Sequence, residues 1–324
     1  MKDHRFLHAM CAAALAMSAW ICTPATGSAA GKERPPLTAL WEEPRDLENR
    51  DLFNGQWGAA NAPDPQSTYT FVRPKQGGVN PGVVVKDPSG RTWDVKQAAE
   101  RWDEGPAEVV LSRVLWAVGY HQPPVYYLPS FSMSDESGTR MEAGGRFRLD
   151  HPSLIERGEW SWRMNPFVGT MPYQGLLVMM LLFANGDLKN SNNSLYEVTR
   201  DGATEQWYIV RDLGASLGER GIFKPMRNDP GLFEQESFIT GVGNDFVQFD
   251  HPMKERMLVE GRITPAEVVW ASNLLGRLTE RQWRDAFRAG GYDNDVAGRF
   301  IRKIRQSITE GQRVTAAAEA TPRP

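Results

Sequence analysis

Beyond residue 22 the chain contains no cysteine, because Cys11 and Cys22 are the only two it has. If the segment carrying both is removed, disulfides, thiolate nucleophiles and cysteine-ligated zinc are excluded from the remainder. Histidine is also scarce: past the first ten residues only His121, His151 and His251 occur, and none pairs in an H-E-x-x-H arrangement. We read no function into these three. No internal apolar run approaches the ~20 residues of a membrane-spanning helix. Leu176 to Ala184 is apolar throughout but only nine residues long, which suits a buried helix. Charge of one sign is lacking as well. The formal net charge of −3 falls to −4 once Lys2 and Arg5 leave together with Asp3, so there is no electrostatic case for nucleic acid as a partner.

The N-terminus has the pattern of an export signal. Lys2 and Arg5 form a charged start, Phe6 to Cys22 is largely apolar, and Ser28-Ala29-Ala30 offers small residues for cleavage. Residues 1–30 are therefore read as a signal peptide, which places the protein in the periplasm or outside the cell. Cys22 is preceded by Ala19-Trp20-Ile21, too bulky for a lipid-attachment site. Removal of the signal leaves no transmembrane span in the mature chain.

Residues 31–67 are rich in Pro, Glu, Arg and Asn and read as an irregular arm. Three short strands follow, at Tyr69–Val72, Val83–Lys86 and Thr92–Lys96. The first two are joined by the glycine-rich stretch Gln76-Gly77-Gly78-Val79-Asn80-Pro81-Gly82, the last two by the turn Asp87-Pro88-Ser89-Gly90. Ala107, Val110, Leu111, Val114, Leu115 and Val118 keep helical spacing, with Gly119 placed to end the helix. Pro123-Pro124 leads into a fourth strand, Val125–Leu128. Residues 130–171 read as irregular, with Trp160 and Trp162 as core anchors in preference to a ligand cage. Tyr173–Ala184 reads as a buried helix, and Leu195–Val198 and Trp207–Val210 as strands around the turn Thr199–Glu205. Residues 215–252 are rich in Gly, Asn, Asp and Pro and read as a long functional loop. Thr264-Pro265-Ala266-Glu267 and Thr279-Glu280-Arg281-Gln282 are capping boxes that open helices. A third helix covers about Val296–Ile308, its Arg299, Arg302, Lys303 and Arg305 forming a solvated face. Residues 311–324 read as a disordered tail.

Between the buried helix and the last helices lies Asp187-Leu188-Lys189-Asn190-Ser191-Asn192, with Asp212-Leu213-Gly214 at the end of the second strand. Two carboxylates and an amide on loops around a strand pair are hard oxygen donors of the kind a phosphate-bound magnesium ion takes. Lys189 adds positive charge for a phosphoryl group. A glycine-rich hairpin, a strand ending in Lys96, a helix near Glu108, a buried helix, D-L-K-x-x-N, a strand pair and D-L-G follow one another in order. This order resembles the protein-kinase-like superfamily, and within it the divergent HipA-type, phosphoinositide and secretory-pathway kinases. The resemblance covers residues 68–214 by motif and extends to about 310 by layout.

What the resemblance implies is an α+β, two-lobed kinase-like fold. A small antiparallel-sheet lobe with one helix would span about 68–130, and a mainly helical lobe about 131–310. It further implies that Asp187 orients the attacking hydroxyl and Lys189 stabilises the transferred group. Asn192 and Asp212 would hold Mg²⁺, and Lys96, positioned by Glu108, would contact the phosphates of ATP or another nucleotide near Gly77 and Gly78. The acceptor would be a hydroxyl of a protein, a sugar or a lipid. Lys86 competes with Lys96 for the lysine role, and Glu100 and Glu104 compete with Glu108. Asn185-Gly186 stands where many kinases carry His-Arg, no A-P-E follows D-L-G, and the glycine loop does not read G-x-G-x-x-G. A non-catalytic kinase-like binding protein (a pseudokinase) is thus a second reading. A third is an exported serine hydrolase, because Gly214-Ala215-Ser216-Leu217-Gly218 matches G-x-S-x-G, with Asp245 and His251 as the nearby acid and base. Asp187 and Asn192–Asn193 also suit ordinary turn chemistry, and Glu108 suits the charge preference of a helix N-terminus.

Overall fold

A computed structural model describes residues 34–77, 80–98, 103–219, 226–250 and 256–314. The expected signal peptide, Gly78, Glu100, His251 and most of the expected tail lie outside the described residues.

Strands β1 (Thr68–Pro74), β2 (Gly82–Lys86), β3 (Thr92–Gln97), β4 (Val125–Asp135) and β5 (Gly138–Leu149) close into a barrel in the order β1-β2-β3-β5-β4. All its pairings are antiparallel except β1 with β4, which is parallel. Side-chain alternation builds the interior. Tyr69, Val85, Trp93, Val95, Phe131, Met133 and Phe147 are buried inside, with Phe147 in contact with Tyr69, Trp93 and Phe131 rings. The residues between them along β3 and β5, namely Asp94, Lys96, Arg146 and Arg148, therefore share the other face.

Residues 130–171 are not irregular as expected. Most of them belong to the rest of β4, to β5 and to β6 (Leu154–Gly158). The barrel thus runs on to Leu149, past the lobe boundary expected near 130. Serines alternate with Phe131 and Met133 along β4, and arginines with Phe147 and Leu149 along β5. Polar residues on the outer face hide such strands from a search for apolar runs.

Helix α1 (Gly105–Ala117) packs on one side against β4 and β5 and on the other against the helices at the C-terminal end. Its Ala107, Val110, Leu111 and Val114 belong to the largest hydrophobic core, together with α2 (Met171–Leu182), α4 (Pro265–Gly276), α5 (Glu280–Ala289) and α6 (Asn294–Gln312). Helix α2 is buried along nearly its whole length and capped by Thr170, whose hydroxyl accepts from Tyr173 N. Both expected capping boxes are formed. Helix α6 extends to Gln312 and Val314 is buried, so the tail does not begin at 311.

Strands β7 (Asn193–Arg200) and β8 (Ala203–Val210) are longer than expected, joined by Asp201-Gly202 with both residues at positive φ, and β6 adds a third strand. An Asp-Gly pair at positive φ is the preferred two-residue hairpin turn. Residues 215–252 carry α3 (Pro230–Gln235) and the hairpin β9 (Ile239–Gly243) and β10 (Phe246–Phe249), and so are not one long loop. The expected N-terminal arm is irregular but packed. It carries three 3₁₀ turns, and Leu40, Leu47 and Leu52 are completely buried in the helical core.

Candidate functional site

Lys96 ends the central part of β3 on the outer face of the barrel, with 4% of its side chain exposed. Its amine lies 2.7 Å from Glu104 Oε2, 3.2 Å from Glu108 Oε2 and 2.8 Å from Asp212 Oδ1. Lys86, the competing lysine, sits exposed at the end of β2. Glu104 and Glu108 do not compete: they stand one turn apart at the start of α1, and both reach the amine. Each carboxylate has a second cation. Glu108 Oε1 is 2.9 Å from Arg146 Nε, and Glu104 pairs with Arg227. Glu104 also accepts from Asn80 Nδ2 at 2.6 Å. Asn80, from the glycine-rich stretch, thus enters the network. Gly77, at φ +76°, makes no hydrogen bond to it.

Asp212 is brought to Lys96 by the β7–β8 hairpin. Asn193 pairs with Val210, and just beyond that register the Asn192 carbonyl accepts from Arg211 N at 3.0 Å and from Asp212 N at 3.4 Å. The two expected metal ligands are therefore neighbours by construction of the sheet. Gly214 completes the arrangement: a Cβ there would lie 2.5 Å from Glu104 Cβ, so only glycine lets this segment pass the start of α1. Burial would raise the Asp212 carboxyl, but Lys96, Arg146 and Arg148 outweigh it and hold it at about 2. The side chain remains 42% exposed, so an ionised carboxylate is open to a ligand.

Asp187 lies on the other side of Asn192. Asn192 donates its Nδ2 to the Asp187 carbonyl at 2.6 Å and to Asp187 Oδ2 at 3.3 Å. That orientation leaves the Asn192 amide oxygen accepting no hydrogen bond. Lys189 Nζ is 2.7 Å from Asp187 Oδ1, and its side chain is 52% exposed. Asn185 Oδ1 accepts from Asp187 N, which steadies the loop where many kinases have His-Arg. Lys96, Glu108, Asp187, Lys189, Asn192 and Asp212 are thus brought together; Gly77 is not, and Gly78 lies outside the described residues.

No group of three or more His, Cys, Asp or Glu able to hold a metal occurs among the described residues. Magnesium does not require one, since it takes one or two protein oxygens and completes its octahedron with phosphate and water. The Asp212 carboxylate and the Asn192 amide oxygen fit that need. The residues missed in the sequence are Asn80, Asp94, Arg146, Arg148 and Arg227. The first four lie on the hairpin or on strands, where the alternation Trp93-Asp94-Val95-Lys96 against Arg146-Phe147-Arg148-Leu149 was the available signal.

Ser216 does not sit in a nucleophile elbow. It is buried, its hydroxyl donates to Leu213 O at 2.8 Å, and no helix follows it directly. Trp160 and Trp162 are core residues as expected. Arg299 and Arg305 on α6 form ion pairs with Glu234 and Glu280.

No family model and no curated protein matches the chain. Solved structures to which it is similar in fold include a Helicobacter pylori proinflammatory kinase, CtkA, at 10% identity and a TM-score of 0.43, covering 78% of this chain and 98% of that one. Another is the Golgi casein kinase, at 9% identity and a TM-score of 0.38, covering 80% of this chain and 75% of that one. A third is the Rio2 kinase of Chaetomium thermophilum, at 11% identity and a TM-score of 0.27, covering 75% of this chain and 72% of that one.

Proposed function

We propose that this chain is a kinase-like protein that binds a nucleotide with magnesium and transfers a phosphoryl group to a hydroxyl acceptor. The observation that carries this reading is the 2.8 Å contact between Lys96 Nζ and Asp212 Oδ1, made by residues 116 positions apart, with Glu104 and Glu108 behind the lysine. Asp212 and Asn192 would hold the magnesium ion, whose charge would be spent on the nucleotide phosphates. Lys96 supplies a second positive charge there, fixed in direction by its two buried glutamates. Asp187 is placed by Asn192 and Lys189 to orient an acceptor hydroxyl and take its proton. Lys189, half exposed and paired with Asp187, would turn from that carboxylate toward a transferred group. Such chemistry needs position and charge, with no protein nucleophile, which agrees with a site built wholly of ion pairs and amides.

The test is a thermal-unfolding titration with magnesium and ATP, followed by transfer of labelled phosphate. Wild type is expected to be stabilised, Asp212→Ala to lose that response, and Asp187→Ala to keep it while losing transfer by about 10²–10⁴-fold. No stabilisation of wild type at millimolar ligand overturns the reading. Stabilisation without transfer to any protein, sugar or lipid hydroxyl favours the non-catalytic alternative.

The segment Lys2 to Ala30 supports a second part of the proposal, that the protein is exported and cleaved near residue 30. Mass determination of the mature N-terminus checks this, and retention of Met1 to Ala30 in the accumulated protein overturns it.

A further inference from the structure

The outer face of β3 and β5 beside Lys96 carries two guanidinium groups, with Asp94 on the same face and Glu108 against one of them. Asp94 pairs across the strands with Arg148, and Lys96 with Arg146. Arg146 is held on both sides: Nη1 donates to Asp94 Oδ1 and to Asp94 O, both at 2.9 Å, and Nε lies at ion-pair distance, 2.9 Å, from Glu108 Oε1. Arg148 is not. Among the described residues its one ion pair, to Asp94 Oδ1, is 3.6 Å long, and its side chain donates no hydrogen bond to them, although only 18% of it is exposed. Arginine carries five N–H donors that cannot be lost by deprotonation. Leaving them unmet in a mostly desolvated place is costly. Glu108 and Asp212 are further carboxylates whose fields reach Arg148. Both are already bound to Lys96. Lys75, just past the end of β1, adds a further half-buried amine that feels Asp94, Glu108, Lys96 and Arg146.

We propose that Arg148 is a ligand-contacting residue that takes phosphate oxygens of the bound nucleotide, exchanging its long contact with Asp94 for a charge-assisted pair. The guanidinium fork matches a phosphate in geometry, and Asp94 is left neutralised by Arg146 when Arg148 turns away. Lys75 adds a further positive charge beside this wall, which favours an anionic ligand. The inference rests on the reading of the site as a nucleotide site.

The experiment is a calorimetric titration of wild type, Arg148→Gln and Asp94→Asn with two probes, ATP and inorganic tripolyphosphate, each with magnesium. Arg148→Gln is expected to weaken both probes by about ten-fold, the scale of one charge-assisted hydrogen bond. Asp94→Asn, which removes the carboxylate competing for Arg148, is expected to tighten both. A role in folding alone would not produce that opposite sign. Arg148→Gln binding both probes as wild type does overturns the proposal. So does loss of ATP with tripolyphosphate unchanged, since Arg148 would then read the nucleoside. If Arg148→Gln does not fold, Asp94→Asn decides, and unchanged or weaker binding overturns the proposal. Wild type binding neither probe overturns the nucleotide reading itself.

Discussion

Lys96 faces three carboxylates with a single positive charge, and Arg146 and Arg227 make up part of the difference. Removing its amine would leave Glu104 and Glu108, both almost wholly buried, one cation short. Uncompensated charge in that setting costs about 3–5 kcal/mol. Lys96→Ala is therefore expected to lower the unfolding free energy from chemical denaturation by that order as well as to lose nucleotide binding, and an unchanged free energy would show that the arginines suffice alone. The sequence made Lys96, Asp187, Asn192 and Asp212 legible because each sits at a fixed spacing in a loop or at a strand end. Glu104 and Glu108 were legible only as rivals, since a helix start with acids one turn apart does not show that one amine can lie between both. Arg146 and Arg148 were illegible because a charged residue in an alternating strand reads as solvent-facing. Here that face is covered by α1 and by the Asp212 segment.

Turns and close approaches decide how the elements meet. In the β2–β3 turn Asp87 Oδ1 accepts from Ser89 N, Ser89 Oγ and Arg91 N, and Oδ2 from Arg91 Nε and Trp93 Nε1. Burial would raise this carboxyl, but those donors hold it at about 2, against an ordinary value of 3.8. A carboxyl depressed in the folded state stabilises the fold fully above its unfolded value and loses that contribution as pH falls toward the folded one. The contribution is about 2 kcal/mol at neutral pH and fades between roughly pH 4 and pH 2. Asp87→Asn should therefore be less stable than wild type at pH 7 and show a shallower loss of stability over that acid window, measured by denaturant titration at each pH. Equal slopes for the two proteins would remove Asp87 from this role. The turn itself was readable from Asp87-Pro88-Ser89-Gly90; its tie to Trp93 inside the barrel was not. Gly214 belongs to the same scale. Alanine there would drive Cβ to 2.8 Å from the Glu104 carbonyl as well as into its side chain. Gly214→Ala should lose about 1–3 kcal/mol through overpacking. It should also weaken magnesium–nucleotide binding, because the shift falls between Asp212 and the carboxylate that holds Lys96. Stability loss with unchanged binding would mean that the helix yields without moving the site.

Across the whole molecule, the stretch expected to be an irregular arm acts as a strap on the helical core. Trp41 meets the edge of Trp270 on α4 at 5.4 Å, and Arg50 Nη1 donates to Trp116 O near the end of α1. Gln282 on α5 gives its amide to Leu47 O at 2.7 Å and Arg50 O at 3.2 Å. The strap thus ties together α1, which carries Glu104 and Glu108, and the helices on which α1 rests. Its composition hid this, because isolated leucines among Pro, Glu and Arg have no helical or strand period to betray burial. Leu47 is completely buried at its centre. Leu47→Ala should cost about 2–5 kcal/mol, the range for emptying a buried leucine site. Because the lost contacts lie behind α1 and away from Asp212 and Asn192, magnesium–nucleotide affinity measured well below the unfolding temperature should stay near that of wild type. A fall in affinity as large as that of Gly214→Ala would instead make the strap part of what positions the glutamates on Lys96.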